Sequence, residues 1–509
     1  ADVEMKTRGK RQRDERTEDN PEEQAVKYAT VEVQEEEGTI RNLNWVCSFA
    51  HHQDFYDDVT GKKLKTELVL KARAEQMVEV NKFNVYEKVP IQNCWNETGK
   101  DPIGTRWLNV NKGDEANPEI RCRIVAQEFN TNKRDDLFAA TPPLESKKML
   151  FSFAVTEGIG FKPGKREEGM KLDFIDIRRA YYHAVARRKV YIKLPEGDQE
   201  EGKCGLLNKS LEGTRDAAQN WEHTYSKFLT DIGFERGRAT PCIFTLNSKE
   251  LRVVVHGDDF TVLGYTKDLD WFRQQIGDKF SVKFRGRIGP CQTDLKAIRI
   301  LNRILEWTKD GIIYEADQRH AEIIKNQMGM KDESKGVNTP GVKGISDDAA
   351  QDLEPYRATK FRAIAARANY LGQDRSEIQF SVKELCRAMS CPKEDDWNKL
   401  KRLSRYLVGK ERCTIFFKYQ SKLDGVTVWT DSDFASTNPV RHSINEEIKD
   451  EHFEMINSIN LDGPASCRRS TSGGLIMLGS HLIKSWSSIQ KVTALSSGEA
   501  EYYAIVNGA

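Results

Sequence analysis

The chain has 509 residues, 31% of them charged and 38% hydrophobic, with a formal net charge of +1. Such a length exceeds one ordinary core and calls for roughly two to four domains, while the near-neutral balance gives no global signature for nucleic acid, so any such partner must be read from local patches. No apolar run approaches the roughly eighteen residues that cross a bilayer, and the N-terminus ADVEMKTRGKRQRDERTEDNPEEQ has no signal-peptide apolar core, which argues against membrane and secretory roles. The ten cysteines stand singly, without C-x-x-C or metal-ligand spacing to histidine. They point to reduced, intracellular thiols, not a zinc module or a disulfide framework.

In chain order, residues 1–67 read as a charged, disordered tail or linker, with polar clusters such as QEEEG and no periodicity. An amphipathic helix then opens the first folded segment, with Leu70, Ala74, Met77 and Val78 at helical spacing. Strand-like runs follow at GTRWLNVNKG, IRCRIVAQEF, KVYIKLP, CIFTL and VVVHGDDFTVLG, with helical stretches near 144–157 and 217–231 between them. Strands mixed with helices without strict βαβ alternation predict an α+β domain. PKEDDWNKLKRLSRYLVGKE carries Trp397, Leu400, Leu403 and Leu407 at helical spacing between Asp395/Asp396 and Gly409, a helix with start and stop signals. After Gly425 the pattern returns to strands and closes on a helix from Ser496.

The chemistry gathers at VVVHGDDFTVLG, where Asp258 and Asp259 lie between two apolar runs. Two like charges about 4 Å apart repel by roughly 4 kcal/mol at an effective dielectric near 20. Solvent at a hairpin tip offsets that repulsion in one reading, since Gly and Asp are turn formers; a divalent cation used in phosphoryl transfer offsets it in the other. A metal site needs a further acid from elsewhere. MKLDFIDIRRAYYHA offers Asp173 and Asp176, the latter followed by Ala180 and Tyr181. Arg121 and Arg123 alternate along IRCRIV and share one strand face, opposite Cys122 and Ile124; a solvated face and a phosphate-binding face both fit. Lys399, Arg402 and Arg405 recur at three-residue steps on one helix face, which suits either solvent or a template backbone.

The ordered series GTRWLNVNKG, RCRIVAQEF, DIRRAYYHA, VYIKLPEG, LLNKSLEGTRDAAQNW, IGFERGRATPCIF and VHGDDFTVLG resembles the reverse transcriptase of copia-type LTR retrotransposons. The resemblance continues through YRATKFRAIAARANYL, LCRAMSCP and LKRLSRYLVG to SCRRSTSGGLIMLGSHLIKSWSSIQKVTALSSGEAEYYA, which looks like the start of an attached ribonuclease H. It implies a right-hand polymerase of fingers, palm and thumb followed by an incomplete ribonuclease H-like α/β domain. Fingers and palm would occupy 68–325, a mainly helical thumb and connection 326–425, and the ribonuclease H-like part 426–509.

By position the resemblance makes Asp176 and Asp258 the principal metal ligands and Asp259 the neighbouring acid, holding two Mg²⁺ ions or Mn²⁺ in their place. Tyr181 would be the aromatic against the sugar of the incoming nucleotide, and Arg121 and Arg123 would lie in the fingers near its triphosphate. RNA template, DNA primer and dNTPs are the implied partners, in a cytoplasmic virus-like particle with a nuclear phase. Departures are visible. The acid box reads HGDD, so His256 and Gly257 differ from the family's YVDD-like pattern. In LEGTRDAAQNW, Glu212, Asp216 and Gln219 replace the family's Tyr, Gln and Arg, while Gly213, Ala217 and Trp221 stay in register; Asp216 stands where a nucleotide-seating Gln is expected.

In the C-terminal part the resemblance makes Asp431 the first ribonuclease H ligand. Ser496 and Glu499 have capping-box spacing, which explains Glu499 by helix-end hydrogen bonds. EYYAI matches the family's E-x-x-A helix, so the resemblance makes Glu501 the second ligand. A polar insertion at about 438–463 and the end of the chain before the family's remaining aspartates lead to the expectation of little or no RNA-hybrid cleavage. Two rivals remain: a decayed copy that binds nucleic acid without turnover, and a scaffold whose acids merely form turns.

Overall fold

The computed structural model describes residues 54–129, 137, 139–331, 333–342, 350–423, 425–435 and 469–509. The described residues fall into two units, one drawn from the chain before Asn130 and from Arg188–Thr214, the other from Thr131–Arg187 and Arg215–Ala509.

The first unit opens with a hairpin of β1 (Phe55–Tyr56) and β2 (Lys63–Leu64), which buries Phe55 and Leu64. Order therefore begins ahead of residue 68, correcting the boundary of the expected tail; residues 1–53 of that tail lie outside the described residues. The polar stretch DFYDDVTGKK folds because Asp57 is buried and its Oδ1 accepts from the amides of Val59 and Thr60 at 2.8 and 2.7 Å, its Oδ2 from Asn111 N at 2.7 Å. The helix α1 (Thr66–Lys82) buries Val69, Ala72, Met77 and Val80, a face rotated from the expected Leu70, Ala74 and Val78. It packs on β5 (Ile120–Ala126), which pairs with β4 (Thr105–Asn111). β3 (Tyr86–Pro90), β8 (Lys203–Leu207) and β7 (Tyr191–Ile192) form a separate antiparallel sheet beside α2 (Ile91–Thr98).

The second unit is built on six antiparallel strands in the order β13 (Val282–Ile288), β6 (Lys171–Ile177), β12 (Asp259–Gly264), β11 (Leu251–His256), β10 (Ile243–Leu246) and β9 (Glu235–Arg236). Its central strands are apolar on both faces because both faces are covered. One face buries Ile175, Ile177, Val253, Val255, Phe260 and Val262 against α5 (Ala217–Asp231), α6 (Thr266–Lys279) and the short α4 (Ala180–His183). The other buries Leu172, Phe174, Val254 and Leu263 against Leu150 and Phe151 of α3 (Leu144–Ala154).

That second core is shared with a four-stranded antiparallel sheet of β14 (Ala297–Ile300), β15 (Arg303–Thr308), β16 (Gly311–Glu315) and β17 (Thr414–Lys418). A helical layer of α7 (Gln318–Gln327), α8 (Pro355–Gly372), α9 (Gln379–Arg387) and α10 (Glu394–Gly409) has its own core around Phe361, Ile364, Leu385, Leu400 and Leu403. The described residues of 326–425 are mainly helical, but β17 leaves them to complete the sheet begun at β14. The last sheet joins β18 (Val426–Asp433), β19 (Thr471–Leu478) and β20 (His481–Ile489), with α11 (Ser497–Gly508) packed on β18 and β19. The insertion expected at 438–463 lies outside the described residues.

Candidate active site

β11 and β12 are joined by two residues, Gly257 and Asp258, and the hairpin pairs His256 with Asp259. Gly257 takes φ +63°, and an added Cβ there would meet nothing within 4 Å. The turn's first central position needs that left-handed backbone, which glycine adopts without strain. On its other edge β12 pairs with β6 so that Asp259 lies directly opposite Asp176, and Ile177 N–H donates to the Asp258 carbonyl at 2.9 Å. β6 in turn places Lys283 of β13 opposite Asp176. Opposed residues of antiparallel neighbours share a face, with Cβ atoms about 5 Å apart. One end of the sheet therefore carries a row of Lys283, Asp176, Asp259 and His256 on the α3 side, with Asp258 at the adjoining tip.

The protein supplies cations against this concentration of charge. Arg285 Nη1 reaches Asp259 Oδ1 at 3.3 Å, and its Nη2 donates to the Arg299 carbonyl at 3.3 Å. Lys147, only 4% exposed in the first turns of α3, feels the Asp259 charge. Burial outweighs that attraction and pushes its ammonium down to about 8. Burial also lowers His256, with Lys147 acting in the same direction. The Asp176 side chain is half-buried and, among the described residues, makes no hydrogen bond or ion pair. Among the described residues no three His, Cys, Asp or Glu side chains converge as a metal cage; opposed carboxylates repel, and Arg285 draws on Asp259.

The depressed Lys147 makes a pH prediction. Its folded value of about 8 lies below the ordinary 10.5, so between them the unfolded chain binds more protons and stability rises with pH. Lys147→Met should abolish that rise and stabilise the fold at pH 7 by roughly 2–3 kcal/mol. Urea unfolding at pH 7 and pH 10 checks both effects.

Asp173, the other acid of the β6 segment, is fully buried on the opposite face. Arg273 Nε donates to it at 2.6 Å and Arg287 Nη2 at 2.9 Å, and Arg287 also holds Asp270 at 2.7 Å. Its partners saturate it, which marks it as structural.

The remaining expected site residues divide. Tyr181, on α4, packs half-buried against the α5–α6 core. Asp216 is buried just before α5, its Oδ2 accepting from Asn220 Nδ2 at 2.9 Å. Gly213 of the same box has φ +88° and lies so close to the backbone of Ala126 that a Cβ would sit 2.0 Å from its carbonyl oxygen. Within the first unit Arg121 and Arg123 project to solvent from β5 while Cys122 and Ile124 are buried; Arg121 pairs with Glu119 at 2.7 Å. The basic face of α10 is tied within the chain: Lys399 to Asp396 at 3.0 Å, Arg402 to Thr339 Oγ1 at 2.7 Å, Arg405 to the Lys335 carbonyl at 2.9 Å.

In the last sheet, Asp431 is exposed on β18 and borders an open cleft with Asp433, Thr471, Gly473 and Phe380. Glu501 Oε1 accepts from Ser432 N at 3.1 Å and Ser432 Oγ at 2.9 Å, which ties α11 to the residue that follows Asp431. Glu499 instead accepts from Leu495 N at 2.7 Å, and Ser496 Oγ from Glu499 N at 3.1 Å. The helix-start role expected for Glu499 is present, with Leu495 in place of Ser496 as its amide partner.

Residues 90–292, which include all three acids of the row and tip, match the family model "Reverse transcriptase (RNA-dependent DNA polymerase)". The chain is similar over that segment to reverse transcriptase domains. It is a relative of the Pol polyproteins of copia-type transposons. It is 22% identical to the "Retrovirus-related Pol polyprotein from transposon TNT 1-94" of Nicotiana tabacum over 86% of this chain and 30% of that one. It is 24% identical to the corresponding polyprotein from transposon RE2 of Arabidopsis thaliana over 80% and 25%. The chain thus spans under a third of the length of these relatives. A solved foamy viral protease-reverse transcriptase in complex with RNA/DNA hybrid aligns with TM-score 0.42 and 11% identity, over 87% of this chain and 53% of that one.

Proposed function

We propose that the chain is an RNA-directed DNA polymerase, which adds nucleotides from dNTPs to a primer 3′-OH on an RNA or DNA template. The observation that carries this reading is the register that sets Asp176 opposite Asp259 beside the Asp258 tip, with Asp176 left unpaired. Three hard oxygen donors at one solvent-reachable sheet end suit Mg²⁺ or Mn²⁺, whereas the saturated Asp173 does not. Asp176, Asp258 and Asp259 would hold two such ions. When bound, they supply Lewis-acid stabilisation of the attacking and leaving oxygens.

The chain's own residues do the rest. The β11–β12 turn presents Asp258, and β6 presents Asp176 from the neighbouring strand. Lys283 and Arg285 limit the repulsion between the acids before a substrate arrives. The six-stranded sheet serves as the palm, the β4–β5 unit with Arg121 and Arg123 as fingers that meet the triphosphate, and the α7–α10 layer as thumb and connection. Residues 426–509 read as ribonuclease H-like, with Asp431 and Glu501 as its acids.

Primer extension on an RNA template with dNTPs and Mg²⁺ tests the reading. Extension is the expected result. Binding of template and primer without extension would favour the decayed copy, a reading that the burial of Asp216 on Asn220 supports.

A further inference from the structure

We propose that Trp221 is a positioning residue for Asp258, acting through the peptide that joins Gly257 to Asp258; the inference rests on the polymerase reading above. Trp221 is 2% exposed on α5, and its Nε1–H donates to the Gly257 carbonyl at 2.8 Å. Its ring is fixed from behind by edge contacts with Phe280 at 5.3 Å and Tyr225 at 5.6 Å, and by His183 at 6.5 Å.

The bonded carbonyl belongs to the central peptide of the two-residue turn. In such turns the two hairpin-compatible forms differ by a flip of that peptide: one gives the second central residue a positive φ, the other a negative one. Asp258 is not among the residues of positive φ, whereas Gly257 is. The indole N–H therefore selects the form in which a non-glycine residue is comfortable, and because the peptide is planar its orientation sets the Cα–Cβ direction of Asp258. On the far side of the same residue, Ile177 N–H holds the Asp258 carbonyl at 2.9 Å. The acid is clamped through both of its peptides, one from the α5 core and one from the strand that carries Asp176.

The test uses the full chain with Trp221→Phe and, beside it, Trp221 replaced by β-(3-benzothienyl)alanine, which keeps the bicyclic shape and lacks only the N–H. The second variant guards against a loss of folding from the smaller ring. Where the wild type extends primers, the expected result is a fall in kcat of about 10–100-fold, with KM for template–primer within about twofold and an unchanged melting temperature for the isostere. Amide hydrogen exchange at 256–260 should quicken at least about tenfold, with exchange elsewhere unaltered. An isostere with wild-type kcat and wild-type exchange overturns the proposal. If the wild type itself fails to extend primers, the polymerase reading falls alone when exchange at the tip still quickens, and both fall when it does not.

Discussion

Asp176→Asn is expected to slow nucleotide addition by on the order of 10²–10³-fold or more, with template–primer affinity little changed. The fold should not suffer. Asp176 faces Asp259 across a strand pair and makes no bond of its own among the described residues, so removing its charge relieves a repulsion and leaves stability unchanged or higher by about 0.2–1 kcal/mol. Single-nucleotide incorporation alongside thermal melting checks the two halves together. A variant that extends primers at the wild-type rate would remove Asp176 from the site.

Asp173→Asn, three residues earlier on the same strand, should behave in the opposite way. Its carboxylate is the buried counter-charge for both Arg273 and Arg287, and taking it away leaves Arg287 with Asp270 alone and Arg273 without its carboxylate. Breaking a buried ion network of this kind costs about 3–5 kcal/mol. Urea unfolding should show that loss, while protein still folded at low urea should add nucleotides at close to the normal rate. A stable Asp173→Asn with a dead active site would exchange the roles of the two acids.

The contrast between these acids also marks the limit of what the sequence tells. Period-two alternation in KLDFIDI already places Asp173 and Asp176 on opposite faces. What it cannot say is which face holds cations, because Arg273 and Arg287 lie 100 and 114 residues away in the chain. The hairpin at the paired acids and the helices at 217–231 and 394–409 were legible, since each is framed by local signals: turn residues, caps and periodic apolar positions; the turn itself falls at Gly257–Asp258, one residue before the Asp258–Asp259 that the turn formers suggest. The β1–β2 hairpin was not, because its strands are two residues long and its stability comes from Asp57 binding the amide of Asn111, far along the chain.

Nor was the β14–β17 sheet visible as such. β17 joins β16 across nearly a hundred residues of helices, and nothing in TIFFK names its partner. Nothing in LESKKM sets Lys147 apart from its neighbours; only the packing of α3 over β6, β11 and β12 brings it within reach of the Asp259 charge. In the same way Trp221 kept its place in a motif, while the bond that gives it a task runs to a turn 36 residues on.

The most direct measurement is anomalous diffraction from crystals of the chain with template–primer, an unreactive dNTP analogue and Mn²⁺. Manganese peaks about 2.2 Å from carboxylate oxygens of both Asp176 and Asp258 are the expected result. Peaks confined to other acids, with Asp176 and Asp258 left without metal in a crystal that holds both nucleic acid and nucleotide, would contradict the assignment of the catalytic centre to this end of the sheet.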